Sequence, residues 1–460
     1  MASSGKSSPA DPAAVAGAFL RRHTRPGAHV TVGLSGGADS MALLHALALA
    51  ARSFPVALRA LHVHHGISPN ADDWAAFCRR QCAALGVPFE LKQVDIAPHR
   101  HLGLEGAARK ARWRAFRAAA PEYLALAHHR DDQAETALLQ MLRGAGVKGM
   151  AAMPVVMQGY GEAARPVVLR PFLELGRDAL RDWARALGLE WIEDESNQDR
   201  DRLRNFLRLD VIPRLGAEVP AAAAVLARSA GHLGEAAALL AELGAEDLAR
   251  VAEGEELDIA GLRALGAPRA RNALRSWCEA RGAPVPSTRR LEELMRQMSA
   301  ARGDANVCLE VAGWTFRRYR GLLYLEPPFR APDPDWSVRW TGDNRLLLLE
   351  LGGTLHFRAQ EGRGLDAGLL RGGEVTVRLR RGGETMRTSA GGYHRSLRNL
   401  FQETGMPPWR RERLPLVYLG TQLAAVPGLG EDADLRAAPG RAGLIVSWEP
   451  LGRPGAATPG

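Results

Sequence analysis

The sequence predicts an α/β fold: a parallel sheet with helices on both faces, followed by a mostly helical segment and a small α+β domain. Three observations predict it. Between His29 and Leu187 short apolar runs alternate with helical stretches, the order that βαβ units require. The chain has 460 residues, enough for about three domains of ~150 residues each. A Pro-rich stretch, residues 326–335, separates a helical region from one dominated by short strands and reads as an extended, semi-rigid linker.

Taken in order, Val30–Leu34 reads as a strand, Ser40–Ala51 as a helix and Val56–Val63 as a strand. Asp72–Leu85 follows as a helix, Pro88–Val94 as a strand, Glu105–Ala119 as an Arg-rich amphipathic helix and Tyr123–Ala127 as a strand. Asp131–Arg143 is helical, and after a looser stretch come strand Val167–Leu169 and helix Arg177–Leu187. Ala221–Ala252, Arg269–Arg281 and Thr288–Ser299 carry helical periodicity, closing in a hairpin over Val307–Leu325. Beyond the linker, strands are expected at Arg345–Leu351, Val375–Leu379, Leu416–Tyr418 and Gly443–Trp448, with one helix at Ser396–Glu403. The expected domains are therefore 1–220, 221–326 and 327–460.

Composition narrows the class. Hydrophobic residues make up 46% and charged residues 24%, ordinary for a globular chain and too apolar for general disorder. No apolar run approaches the roughly 20 residues of a membrane span, so no membrane association is expected. Met1–Pro12 lacks the basic start and apolar stretch of a secretory signal. Cys78, Cys82, Cys278 and Cys308 form no C-x-x-C pair, which excludes a disulfide framework and the common zinc spacings. A cytoplasmic location is expected. The net charge is +9, and between Arg371 and Arg413 ten arginines face four glutamates. That density suits either a solvated surface or a polyanionic partner.

The chemistry is concentrated in Ser35, Gly36, Gly37, Ala38, Asp39 and Ser40, where an apolar strand runs into a helix. Two glycines allow a tight turn, and the helix N-terminus adds partial positive charge, a combination suited to pyrophosphate. Asp39 is placed to hold a Mg²⁺ ion that bridges phosphate oxygens. The loop lacks the lysine of a Walker A motif and the G-x-G-x-x-G of a dinucleotide fingerprint. It does satisfy the G-x-S-x-G of a hydrolase nucleophile elbow, but it follows the first strand and no oxyanion motif precedes it.

Ser35–Ser40 resembles the SGGxDS loop of the N-type ATP pyrophosphatases, the PP-loop superfamily with a Rossmann-like fold. Further stretches are similar to the tRNA(Ile)-lysidine synthetase family: HVHHGIS at 62–68, EGAARKARW at 105–113, HHRDDQAET at 128–136, WIEDESN at 191–197 and RNFLR at 204–208. Near the C-terminus, RGGE at 381–384, LRNLF at 397–401 and PPWRRERLPL at 407–416 resemble that family's last domain. Arg398 stands where the family is expected to favour lysine, and the charge is kept.

The resemblance implies an ATP-dependent ligase that joins L-lysine to carbon 2 of the wobble cytidine in tRNA(Ile) bearing a CAU anticodon. ATP first adenylates the base, and the lysine amine then displaces AMP. ATP, Mg²⁺, lysine and that tRNA are the implied cofactors and partners, and a homodimer is left open. By the same resemblance Asp39, Arg109, Arg112, Asp132 and Glu135 are the catalytic candidates. Arg204, Arg208, Arg381, Arg395, Arg398 and Arg410 are the tRNA-binding candidates, with Tyr393 and Trp409 placed to stack on unpaired bases. Asp132 and Glu135 share a helix face with Thr136, with Ala134, Ala137, Leu138 and Met141 opposite on the core face; ordinary acidic capping of the helix start is the competing explanation. His62, His64, His65, His128 and His129 lack any recognised zinc spacing. A tRNA thiolase with the same adenylation step, or a tRNA-binding protein without catalysis, are the other readings.

Overall fold

The computed structural model describes residues 11–158, 166–300 and 308–450. Residues 1–10, part of the Met1–Pro12 stretch read above, and Val307, where the hairpin is expected to begin, lie outside them. The chain divides into two compact units, 1–239 and 240–460. The division falls inside a helix, Ala222–Val251. Of the expected middle domain, 221–239 falls in the first unit; the rest shares the second unit with the expected C-terminal domain, and the two bury separate cores.

The first unit runs α1 (Pro12–His23), β1 (His29–Gly33), α2 (Ala38–Ala51), β2 (Ala57–His64), α3 (Ala71–Ala84), β3 (Phe89–Gln93), α4 (Gly103–Ala119), β4 (Tyr123–Ala125), α5 (Arg130–Leu142), α6 (Val147–Met150), β5 (Val156–Met157), β6 (Val167–Leu169), α7 (Arg177–Ala186) and α8 (Leu203–Phe206). The sheet order is β3-β2-β1-β4-β6-β5. All neighbours are parallel except the β5–β6 edge pair. The looser stretch before Val167 supplies that antiparallel edge strand, too short to show any alternation in the sequence.

Period-two alternation explains the layers. Val30, Val32, Ala60, Ala125 and Leu169 bury against one face with residues of α1, α2, α3 and α7. Leu61, Val63, Leu124, Leu126 and Val168 bury on the other with Ala115 and Phe116 of α4. Helices therefore cover both faces. The strand order reverses at β1, so the crevice between the C-terminal ends of β1 and β4 is where ligands bind in sheets of this type.

In the second unit, helices Ile259–Ala264, Ala267–Ala280 and Thr288–Ala300 pack with a five-stranded sheet. The expected hairpin is the larger part of that sheet; Ala252–Glu253 and Glu256–Asp258 extend it. Two- and three-residue strands rich in glutamate carry no readable alternation, so this segment is less purely helical than its sequence suggests. The final part builds a five-stranded and a four-stranded sheet around a shared core that includes Leu355, Phe357, Val377 and Val417.

Glu326 ties these two parts together. It is 2% exposed and accepts from Trp409 Nε1 at 3.1 Å, Arg410 Nε at 2.8 Å and Arg413 Nη1 at 3.5 Å. Arg410 also donates to Glu256 at 2.7 Å. Burial opposes ionisation of Glu326, but the Arg410 charge and its hydrogen bond outweigh it and hold the carboxyl below its ordinary value. Arg413 lies over the Phe329 ring at 4.2 Å, pinning the Pro-rich linker. Glu326→Ala leaves these cations without their buried anion and is expected to cost about 3–5 kcal/mol of second-unit stability, read from urea unfolding. Because the folded carboxyl titrates below its unfolded value, its contribution is full above about pH 4.5 and declines on acidification; the wild-type advantage over the variant should shrink accordingly.

Candidate active site

The loop after β1 turns at Gly36, whose φ of +88° and surroundings exclude a side chain: a Cβ there would lie 2.6 Å from Ile192 Cδ1. Ser40 Oγ sits at the loop's centre, accepting from the Ser35 and Gly36 amides at 3.3 and 3.1 Å and donating to the Gly37 carbonyl at 2.9 Å. Ser35 Oγ lies 3.0 Å from Ser40 Oγ. The Ser35 and Gly36 amides thus converge at the start of α2, where the Ser40 hydroxyl accepts from both. Asp39 is in the first turn of α2. Its Oδ1 is buried and makes no hydrogen bond among the described residues, while its Oδ2 lies 3.5 Å from His129 Nε2.

His129 caps α5. Its Nδ1 accepts from the Asp132 amide at 3.4 Å, and Asp132 Oδ2 accepts from the His129 amide at 3.0 Å. The capping explanation for Asp132 is therefore fulfilled. Burial disfavours a charge on His129, but Asp39 and Asp132 outweigh it and push its pKa up.

Beside this cap lies a paired set of charges. Arg204 Nη2 donates to Asp132 Oδ1 at 3.0 Å and its Nε to Glu135 Oε2 at 2.9 Å. Arg177 Nη2 donates to Glu135 Oε1 at 3.1 Å, and the Arg177 amide donates to Asp131 Oδ2 at 2.9 Å. Glu135 is 1% exposed, so both its oxygens are committed. For Asp132, burial works against ionisation, and His129, His128 and Arg204 reverse this and hold its pKa down.

Above these groups opens a cleft of about 1550 Å³. Ser35, Gly37, Ala38, Asp39, Ser40, Arg109, Arg112, Arg204 and Arg208 line it, which brings together most of the first-unit candidates. Asp132 and Glu135 do not: the arginines they hold border the cleft in their place. Two further expectations for α5 need correction. Glu135 is on its buried side, and Met141, assigned to the core, is 53% exposed because the buried residues are Gln133, Ala134, Glu135 and Ala137.

The candidates in the second unit separate by environment. Arg410 and Trp409 belong to the Glu326 cluster; Trp409 is 7% exposed and packs edge-on against Tyr319 and Tyr324. The Trp409 ring is buried, a correction to the stacking role expected from sequence, while the half-buried Arg410 guanidinium is engaged by Glu326 and Glu256. Tyr393, in contrast, is 93% exposed. Arg381 and Arg395 make surface ion pairs with Asp335 and Glu403, and Arg398 is exposed with no ion pair among the described residues.

Sequence reasoning missed Arg170 and Arg177, both bordering the cleft. Their signal was position alone: Arg170 directly follows β6, at the ligand-binding end of a parallel sheet. Cys78 and Cys82 are fully buried, and burial pushes their thiols up to about 12 and about 11. No group of three or more His, Cys, Asp or Glu side chains suited to a metal occurs among the described residues. No described helix is long and apolar enough to cross a membrane.

Family models match in the same order along the chain: the PP-loop domain over residues 15–215, the TilS substrate binding domain over 257–324 and the TilS substrate C-terminal domain over 375–448. The tRNA(Ile)-lysidine synthase of Nitrosomonas europaea is 40% identical over 432 residues, covering 94% of each chain. Those of Ralstonia nicotianae and Methylococcus capsulatus are 42% and 38% identical, covering 92% and 94% of this chain and 92% and 98% of their own. With the cleft, its phosphate loop and this similarity over nearly the whole length, the chain belongs to the tRNA(Ile)-lysidine synthase family.

Proposed function

We propose that this chain attaches L-lysine to carbon 2 of the wobble cytidine in tRNA(Ile) with a CAU anticodon, at the expense of ATP. The observation that carries the reading is the cleft itself: a phosphate-binding loop and Arg109, Arg112, Arg177 and Arg204 face one space. A nucleotide triphosphate and an RNA strand are both polyanions, and the reaction requires them side by side. The carbonyl oxygen at carbon 2 is a poor leaving group. Transfer of AMP to it, with loss of pyrophosphate, makes it a good one, and the amine then displaces AMP.

The Ser35–Ser40 loop cradles the pyrophosphate part of ATP. Asp39 would hold Mg²⁺, since its buried Oδ1 lacks a hydrogen-bond partner and too few protein ligands surround it for an ion without phosphate and water. When bound, that ion neutralises charge on the phosphate oxygens. Arg109 and Arg112 contact the anticodon nucleotide or its phosphates. Asp132 and Glu135 orient Arg204 and Arg177, which present fixed positive charge to the reacting groups. Of the tasks that carboxylates here could perform, this one fits their committed oxygens. A thiolase reading lacks support, because Cys78 and Cys82 are buried and kept as thiols.

Incubation with candidate tRNAs, ATP and labelled lysine tests the whole reading. Mass spectrometry of the digested tRNA should show cytidine gaining one lysine with loss of one water. An oxygen-to-sulfur exchange, or no change with any tRNA, would sink it.

Asp39→Asn should keep the cooperative melt but lower pyrophosphate release by at least about 100-fold, since a neutral amide is a poor Mg²⁺ ligand. Near-normal turnover at saturating ATP and Mg²⁺ would remove Asp39 from this role.

Arg381, Arg398 and Tyr393 serve the tRNA from the second unit. The Arg381–Asp335 pair is exposed on both sides and holds its arginine weakly. Arg381→Glu with Arg398→Glu should weaken tRNA binding and leave ATP affinity unchanged. The slope of log affinity against log salt should flatten by about one for each phosphate that is no longer neutralised. Binding assays at several salt concentrations decide the point.

A further inference from the structure

Arg170 is 4% exposed and has no part in the reaction proposed above. Its Nη1 donates to the Pro154 carbonyl at 2.8 Å, and its Nε donates to His128 Nδ1 at 3.3 Å. A guanidinium has five N–H donors, no acceptor, and does not lose its proton in proteins. His128 Nδ1 must therefore be the bare, accepting nitrogen, and a neutral ring carries its single proton on Nε2. That nitrogen has no protein partner among the described residues, and the ring borders the cleft that holds the phosphate loop.

We propose that Arg170 is a positioning residue that locks His128 as a neutral imidazole, offering its one N–H, on Nε2, to an acceptor on the edge of the substrate pyrimidine. The identity of that acceptor's carrier rests on the proposed function; the lock itself does not. The groups facing the ring are Arg170, Arg204, Arg112 and Asp132. Burial first, and then the three arginines, press its pKa down to about 4 against the opposing pull of Asp132. At neutral pH His128 is thus a hydrogen-bond donor and neither a cation nor the base that takes the amine's proton.

The test uses full-length protein with ¹⁵N-labelled histidine. Two-bond ¹H–¹⁵N spectra distinguish the tautomers, with His128 assigned by its loss in His128→Gln. The wild type should show His128 as the neutral Nε2–H form from pH 6 to 8. In Arg170→Met, which removes the donor, the Nδ1–H form or the cation should appear near pH 6, and kcat for tRNA modification should fall about 100-fold with KM for ATP unchanged. Arg170→Lys, which can still donate, should restore part of both. His128→Gln places an amide N–H near the Nε2 position without needing Arg170, so adding Arg170→Met to it should cost less than about threefold.

A wild-type ring protonated on Nδ1, or cationic at pH 7, overturns the proposal; this measurement stands even if Arg170→Met does not fold. Equal loss from Arg170→Met in the wild-type and His128→Gln backgrounds also overturns it, leaving Arg170 a purely structural role. A wild-type spectrum of the expected form in a protein that modifies no tRNA would overturn the proposed function and leave the lock intact.

Discussion

A carboxylate with almost no access to water must be paired, and Glu135 dictates how the rest of the cleft is arranged. An isolated buried anion would cost several kcal/mol. Glu135 meets that requirement through Arg177, at the start of α7, and Arg204, in α8. Those arginines come from chain segments 42 and 69 residues downstream. One side chain on α5 therefore fixes where two later elements lie. Asp131 reinforces the arrangement by capping α7, and Asp132 shares Arg204 while closing the α5 cap.

Within this network the charges are layered: Asp132 and Glu135 lie beneath, and the Arg177 and Arg204 they hold face the open space, with the phosphate loop and its Asp39 alongside. Arginines held by two anchors lose less freedom when a ligand arrives than arginines waving in solvent, so their field is pre-organised. The same logic appears in the second unit with a different outcome. Glu326 gathers Trp409, Arg410 and Arg413 inward, spending an aromatic ring and two cations on joining two cores. The charge left for a partner there is carried by exposed arginines such as Arg398.

Much of this was legible in the chain. The β1–loop–α2 unit could be read because strand alternation, paired glycines and a helix start coincide over Val30–Ala51. The parallel sheet followed from the same alternation, and both faces of β2 and β4 proved to be covered. What could not be read depends on distant partners. Arg410 and Arg398 look alike in sequence, and only the approach of Glu326 and Glu256 makes one a buried clamp. The helical period alone places Met141 with Ala134 and Ala137, yet the packing ends before Met141 is reached. Glu135 looked like a carboxylate for substrate because nothing local announces that Arg177 and Arg204 converge on it. The strands at Ala252–Glu253 and Glu256–Asp258 exist by pairing with residues beyond position 320 or with each other, too short for any local signal.

The role proposed for the buried charge network requires Glu135 to act through Arg204 and not by touching lysine. A double-mutant cycle on the steady-state kinetics decides between the two: Glu135→Gln, Arg204→Met and the pair, each checked for a cooperative melt. If Glu135 works through Arg204, the two changes are strongly coupled. The double variant should then be about as impaired as Arg204→Met alone, with a coupling of about 1–3 kcal/mol in kcat/KM for tRNA and no separate rise in KM for lysine. Additive losses, with Glu135→Gln raising KM for lysine equally in both backgrounds, would contradict this and return Glu135 to direct contact with the amine.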